Sequence, residues 1–73
     1  MGKSSIQNSI RKLRFNADEM TQQKLADKVG ASRQTIIAIE KGKYSPSLIL
    51  AFRISRVFNA PLEEVFLYDP EIE

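Results

Sequence analysis

Apolar positions recur along this chain at helical spacing in five blocks, each closed by a Gly, a Pro or a polar run. From residue 5 onward Ile6, Ile10 and Leu13 follow at i, i+4 and i+7, with Arg11, Lys12 and Arg14 on other faces. That spacing predicts an amphipathic helix reaching about residue 16, and the polar residues 16–19 read as a loop. Leu25, Ala26 and Val29 then share one face of a second helix over residues 22–28. Thr21 is suited to cap it and Met20 to pack on Leu25, although Lys24 stands where a full capping box carries Glu or Gln. Gly30 ends this helix, because a residue without Cβ takes the left-handed conformation at little cost. A third helix, residues 32–41, places Ile36 and Ile39 on one face toward Leu25 and Val29, with Gly42 as its stop.

Residues 42–47 form a loop in which Pro46 restricts the start of the next helix and Ser45 or Ser47 caps it. The fourth helix, about residues 47–58, carries Leu48, Ala51, Ile54, Val57 and Phe58 at core spacing. It also carries Ile49, Leu50 and Phe52, more apolar surface than one stripe requires: Ile49 and Phe52 either are loosely buried or join Phe66, Leu67 and Tyr68 in a subunit contact. Asn59, Ala60 and Pro61 break it. Leu62, Val65 and Phe66 then make a short fifth helix, with Glu63 and Glu64 favourably near its N-terminus. In the tail, residues 67–73, apolar Leu67, Tyr68 and Ile72 surround an Asp-Pro turn signal. This tail either folds back as a strand, pairing with residues near Lys3, or is disordered, and residues 1–5 are frayed or extended. The expectation is a single all-α domain over residues 1–73, five helices with a short β extension at the termini.

Composition narrows the function. With 73 residues the chain buries only about 60% of its unfolded surface, and a core that small gains from a second subunit. The absence of Cys and His removes disulfides, zinc fingers and the usual nucleophile and base pairs. No paired carboxylates face an evident pocket, so the sequence supports no enzyme, no metal or cofactor and no small-molecule ligand. The longest apolar run, residues 48–52, falls far short of the roughly 20 residues that span a bilayer, and no apolar signal segment precedes it. The expected place is the cytoplasm, away from membranes. Ile6 stands where a myristoylation signal wants Ser or Thr, and Gly2-Lys3-Ser4 lacks the upstream glycine of a phosphate loop.

The net charge of +2 hides a polarity. All eleven Lys and Arg lie within residues 1–56 against four carboxylates, a net +7, while residues 57–73 hold five acids and no base, a net −5. Either this is ordinary solubilising surface charge, or one end attracts phosphates and the other repels them, which orients the domain on a polyanion; coincidence with the paired second and third helices favours the latter. Arg33 and Gln34, on the first turn of the third helix, are long hydrogen-bonding side chains able to reach base edges, where Arg pairs with guanine and Gln with adenine.

The segment QQKLADKVGASRQTIIAIEKGKYSPSL resembles the helix-turn-helix of phage-repressor and Cro-like (XRE) regulators. The run on to Phe66 is similar to short stand-alone members of that family. Gln22, Ala26, Gly30, Ser32, Ile36, Ile39, Glu40, Gly42, Pro46 and Leu48 match in register together, a far more specific signal than a bare helical hairpin. The resemblance implies a helix-turn-helix at residues 21–41 whose second helix enters the major groove of double-stranded DNA. Arg33 and Gln34 would read bases, with Ile37 and Ala38 against thymine methyls. Gln22 would bond a phosphate and brace Arg33, while Ser32, Thr35, Lys41, Lys43 and Tyr44 would hold the DNA backbone or flanking bases. The basic face of the first helix either touches the DNA backbone or is merely solvated, and for Tyr44 and Thr35 the plainer alternatives are packing over the loop and filling the turn. Ile37 departs from the small polar residue expected there, and marks either a distinctive site preference or a protein contact. The resemblance also implies a homodimer, joined through the fifth-helix region, with Phe52, Phe58, Pro61, Leu62, Phe66, Leu67 and Tyr68 as the candidate contacts. Its expected activity is sequence-specific transcriptional regulation at a pseudo-palindromic operator. A protein-docking module, or an antitoxin or restriction-system controller on the same fold, stays open.

Overall fold

Three of the helices begin on a hydroxyl. In the computed structural model, which describes residues 6–71, the elements in order are β1 (Ile6–Asn8), α1 (Ile10–Asn16), α2 (Gln22–Val29), α3 (Arg33–Glu40), α4 (Leu48–Val57), α5 (Leu62–Val65) and β2 (Phe66–Tyr68). Thr21, Ser32 and Ser47 each accept, through the side-chain oxygen, the backbone N–H three residues on, at 3.0, 3.1 and 3.2 Å. Each such cap is worth about 1 kcal/mol. The ends are set as firmly. Gly30 closes α2 at φ 74°, its N–H on the Ala26 carbonyl, and Gly42 follows α3 at φ 74°.

Burial follows the periodicity of the middle helices. Leu25, Ala26 and Val29 of α2, Ile36 and Ile39 of α3, Ile54 of α4, Ile10 of α1 and Val65 of α5 form one buried cluster. Met20, Leu13, Leu50, Val57 and Phe58 pack at its edge, with Met20 placed as the residue preceding the α2 cap should be. The α2 helix lies against both α3 and α4, so the turn at Gly30 sets the angle between α2 and α3.

The β extension exists and joins the two ends of the described chain. β1 and β2 pair antiparallel, Ile6 opposite Tyr68, Gln7 opposite Leu67 and Asn8 opposite Phe66, and the Ser9 N–H extends the ladder to the Val65 carbonyl at 2.9 Å. The pairing expected near Lys3 falls at Ile6–Asn8, and three other expectations change here. The first helix does not begin near residue 5: Ile6 lies in a strand, and Asn8 accepts the Ile10 N–H on its side-chain oxygen at 3.1 Å, which starts the helix at Ile10. A short amide side chain offers the backbone this alternative to helix. The strand partner is β1 itself, while Lys3 falls outside the described residues, as do the rest of residues 1–5, Ile72 and Glu73. Phe66 leaves the fifth helix at φ −120° and opens β2. Leu48, placed at core spacing, is 67% exposed, because α4 turns Ala51, Ile54 and Ser55 inward, the Ser55 hydroxyl donating to the Ala51 carbonyl at 3.0 Å. Leu50 packs at the core edge instead. Among the described residues no helix is long and apolar enough to cross a membrane.

Candidate nucleic-acid interface

The first turn of α3 projects outward. Arg33 and Gln34 are exposed, and among the described residues neither side chain has a hydrogen-bond partner. Arg33, Ile37 and Lys41 succeed each other four residues apart, one stripe of the helix. That stripe lines a cleft of about 610 Å³, whose other wall is Arg11 and Arg14 of α1 with Thr21, Gln22 and Gln23 at the start of α2. The amides opening α2 carry the positive end of its dipole, so cleft and helix start together favour an anion. Gln34 lies one step round the helix from this stripe and Ala38 is half-buried. Among the four candidate readers, then, Arg33 and Ile37 line the cleft, and Gln34 and Ala38 lie beside it.

An acid on this helix needs neutralising, and Glu40 is neutralised. Arg14 donates from Nε to Glu40 Oε2 at 2.7 Å and from Nη2 to Oε1 at 3.0 Å, a two-point fork, while its Nη1 donates to the Met20 carbonyl at 2.8 Å. Both side chains are largely buried, 15% and 9% exposed. Breaking such a pair from one side is costly because the remaining charge keeps little solvent. Gln22 belongs to the same cluster: its Nε2 donates to Glu40 Oε1 at 3.2 Å. The side chain expected to brace Arg33 donates here to Glu40 and lines the cleft beside Thr21 and Gln23.

The flanking candidates divide. Lys41, Lys43 and Tyr44 are exposed at the end of α3 and in the loop beyond it, where the Lys43 N–H holds the Ala38 carbonyl at 2.9 Å. The Ser32 and Thr35 hydroxyls share a hydrogen bond at 2.9 Å while capping α3, so both serve the turn. Tyr44 also lines a narrow crevice between its loop and the ribbon, with Asn8 and Phe66 opposite. Of the candidate subunit contacts, Phe52, Pro61, Leu67 and Tyr68 are exposed and Leu62 half-buried, whereas Phe58 and Phe66 pack against the core. Leu48 and Ile49 add exposed apolar surface on α4.

Sequence reasoning passed over Gln23 and Asn8, and it weighed Arg11 and Arg14 only as part of the basic face of the first helix, without the Arg14–Glu40 pair. A signal for Arg14 was present: the one carboxylate on a helix expected to meet a polyanion demands a cation within reach. For Asn8 only its place before the helix hinted at a cap, and nothing local pointed to its second bond, from Nδ2 to the Ile39 carbonyl at 2.9 Å.

Residues 10–65 match the helix-turn-helix family. An HTH-type transcriptional regulator of Archaeoglobus fulgidus is 60% identical over 52 residues, covering 71% of this chain and 74% of that protein. Another, of Methanocaldococcus jannaschii, is 58% identical over 52 residues, covering 71% of this chain and 79% of that one. The HTH-type regulator YgzD of Bacillus subtilis is 42% identical over 66 residues, 90% of this chain and 98% of its own length. Two capped helices joined at a left-handed glycine, an outward first turn on the second, and a match over most of the length agree: the chain belongs to the XRE-type helix-turn-helix family of DNA-binding transcriptional regulators, which are not enzymes.

Proposed function

We propose that this regulator works in the cytoplasm as a homodimer that reads a pseudo-palindromic operator in double-stranded DNA. One α3 enters each of two major-groove segments about 34 Å apart. The observation that carries this reading is the outward, unpartnered pair Arg33 and Gln34 beside a cationic cleft, on a helix whose one acid, Glu40, is paired with Arg14 in the wall of that cleft. Arg33 and Gln34 take base edges, with Ile37 and Ala38 against methyl groups. Lys41, Lys43 and Tyr44, with Arg11 and the start of α2, hold phosphates, which fix register without reading sequence. One such unit reads few base pairs, so a second copy supplies the other half-site. Its contact uses the acidic end of the molecule and the apolar side chains of Phe52, Pro61, Leu62, Leu67 and Tyr68.

Selection of bound sites from random DNA tests the whole reading. The expected product is a motif of two inverted half-sites bound by two chains. An asymmetric motif bound by one chain would sink the dimer, and absence of enrichment would sink sequence-specific reading. A docking module is the second reading, favoured by the exposed Leu48, Ile49 and Phe52. It predicts no gel shift on random DNA at low salt. A protein-only interface would, however, rather present aromatic anchors where α3 presents Arg33 and Gln34.

A further inference from the structure

Helix α3 is tied down at its last turn from two directions. Arg14 of α1 grips the Glu40 side chain. From the opposite element Asn8 of β1 reaches the backbone, its Nδ2 donating to the Ile39 carbonyl at 2.9 Å while its Oδ1 accepts the Ile10 N–H at 3.1 Å. The same Ile39 carbonyl takes the Gly42 N–H at 3.0 Å, so it is shared by the stop of α3 and by the ribbon. Asn8 is placed in turn by its pairing with Phe66, by the ladder through Tyr68 and by the Ser9 N–H on the Val65 carbonyl. A single half-buried carboxamide thus connects the last strand of the described chain to the first turn of α1 and the last turn of the groove-reading helix.

We propose that Asn8, held by the β1–β2 ribbon, is a positioning residue for base reading: it fixes the tilt of α3 without touching DNA. This rests on α3 being the helix that reads the groove. The lever is long enough to matter. Arg33 lies six residues from Ile39, about 9 Å along the axis, and a swing of about 10° at the tied end moves it by about 1.5 Å. A bidentate pairing with a base edge tolerates roughly 0.5 Å, whereas a phosphate contact made by a flexible lysine tolerates such a shift. Loss of the tie therefore falls on specificity and spares general affinity.

Two substitutions separate the two bonds of Asn8. Asn8→Asp keeps an acceptor for the Ile10 N–H and removes the donor to Ile39, whereas Asn8→Ala removes both. Affinities are measured on the selected operator and on scrambled DNA. The expected result is a five- to tenfold fall in the ratio of the two for both variants, about what one geometry-fixing hydrogen bond is worth. The charge added by Asp weakens both DNAs alike and cancels in the ratio. A merely structural role lowers the melting temperature and leaves the ratio at its wild-type value, and that outcome overturns the proposal. A wild-type chain with no preference for any sequence overturns this proposal together with the operator reading, whereas a wild-type preference retained by Asn8→Asp overturns this one alone. Should the variants fail to fold, the wild-type chain still decides by NMR. The Asn8 side-chain amide protons are expected to exchange more slowly on operator than on scrambled DNA, and exchange at the rate of an unprotected carboxamide in the operator complex refutes the tie.

Discussion

The two ends of α3 are built on opposite plans. At its start, Arg33 and Gln34 stand in solvent with no partner among the described residues, and the only local bonds there belong to the Ser32 cap. At its end, Glu40 accepts from Arg14 and Gln22, Ile39 accepts from Asn8 and Gly42, and Ala38 accepts from Lys43. Side chains meant to bond something else must be left unbonded in the free protein, because every internal partner would have to be given up on binding. Their backbone must nevertheless be held, because specificity resides in geometry. Splitting the tasks between the two ends of an eight-residue helix satisfies both.

Breaking the held end should have the largest effect on folding. Arg14→Ala removes three donated hydrogen bonds and leaves the Glu40 carboxylate largely buried with only Gln22, so stability to urea should fall by about 3 kcal/mol. A loss below about 0.5 kcal/mol would mean that the fork is not structural. The open end should respond the other way round. Arg33→Ala should cost about 1–3 kcal/mol of operator binding and relax discrimination at one base pair, with urea stability within about 0.5 kcal/mol of wild type. Equal losses on operator and scrambled DNA would remove its reading role. Gly42→Ala asks how much of the held end is backbone alone. A Cβ there meets nothing within 4 Å, so only the left-handed φ of 74° is charged against it, about 1 kcal/mol in thermal or urea unfolding. Smallest is Lys43→Ala, just past the junction. It should leave folding unchanged, weaken every DNA sequence alike, and make the salt dependence shallower by about one unit in a plot of log affinity against log salt.

The comparison also explains what the amino-acid sequence discloses. Helices α2 and α3, their caps at Thr21 and Ser32 and their stops at Gly30 and Gly42 are legible, because each depends on residues within four positions of one another. The outward first turn follows from the same local rules: once Ile36 and Ile39 are assigned inward, Arg33 and Gln34 have nowhere to go but out. The held end is made of long-range pairings. Arg14 and Glu40 are 26 residues apart and Asn8 and Ile39 are 31 apart, and helical periodicity says nothing about which distant side chains meet. Ile6 shows the failure most clearly. Its spacing to Ile10 and Leu13 satisfies a helix, yet pairing with Tyr68 across the domain wins over one more helical turn. Leu48 was misassigned for a related reason, since the rotation of α4 is decided by where Ala51, Ile54 and Ser55 fit and not by the spacing of its apolar residues alone.

The ribbon carries a consequence for the order of events during synthesis. Strand β1 is among the first described segments to leave the ribosome, yet its pairing partner Phe66 follows Asn8 by 58 residues. At translation rates of about 5–20 residues per second, the 26 residues from Glu40 to Phe66 take roughly 1–5 s, in which α2, α3 and their turn have been made while β1 has no sheet to join. Throughout that interval the growing chain has its cationic side chains and lacks the strand that seats Asn8. On the role proposed for Asn8, attachment to any DNA by charge is available before discrimination among DNAs is, and the second arrives only when Phe66–Tyr68 has been made and has closed against the beginning of the fold.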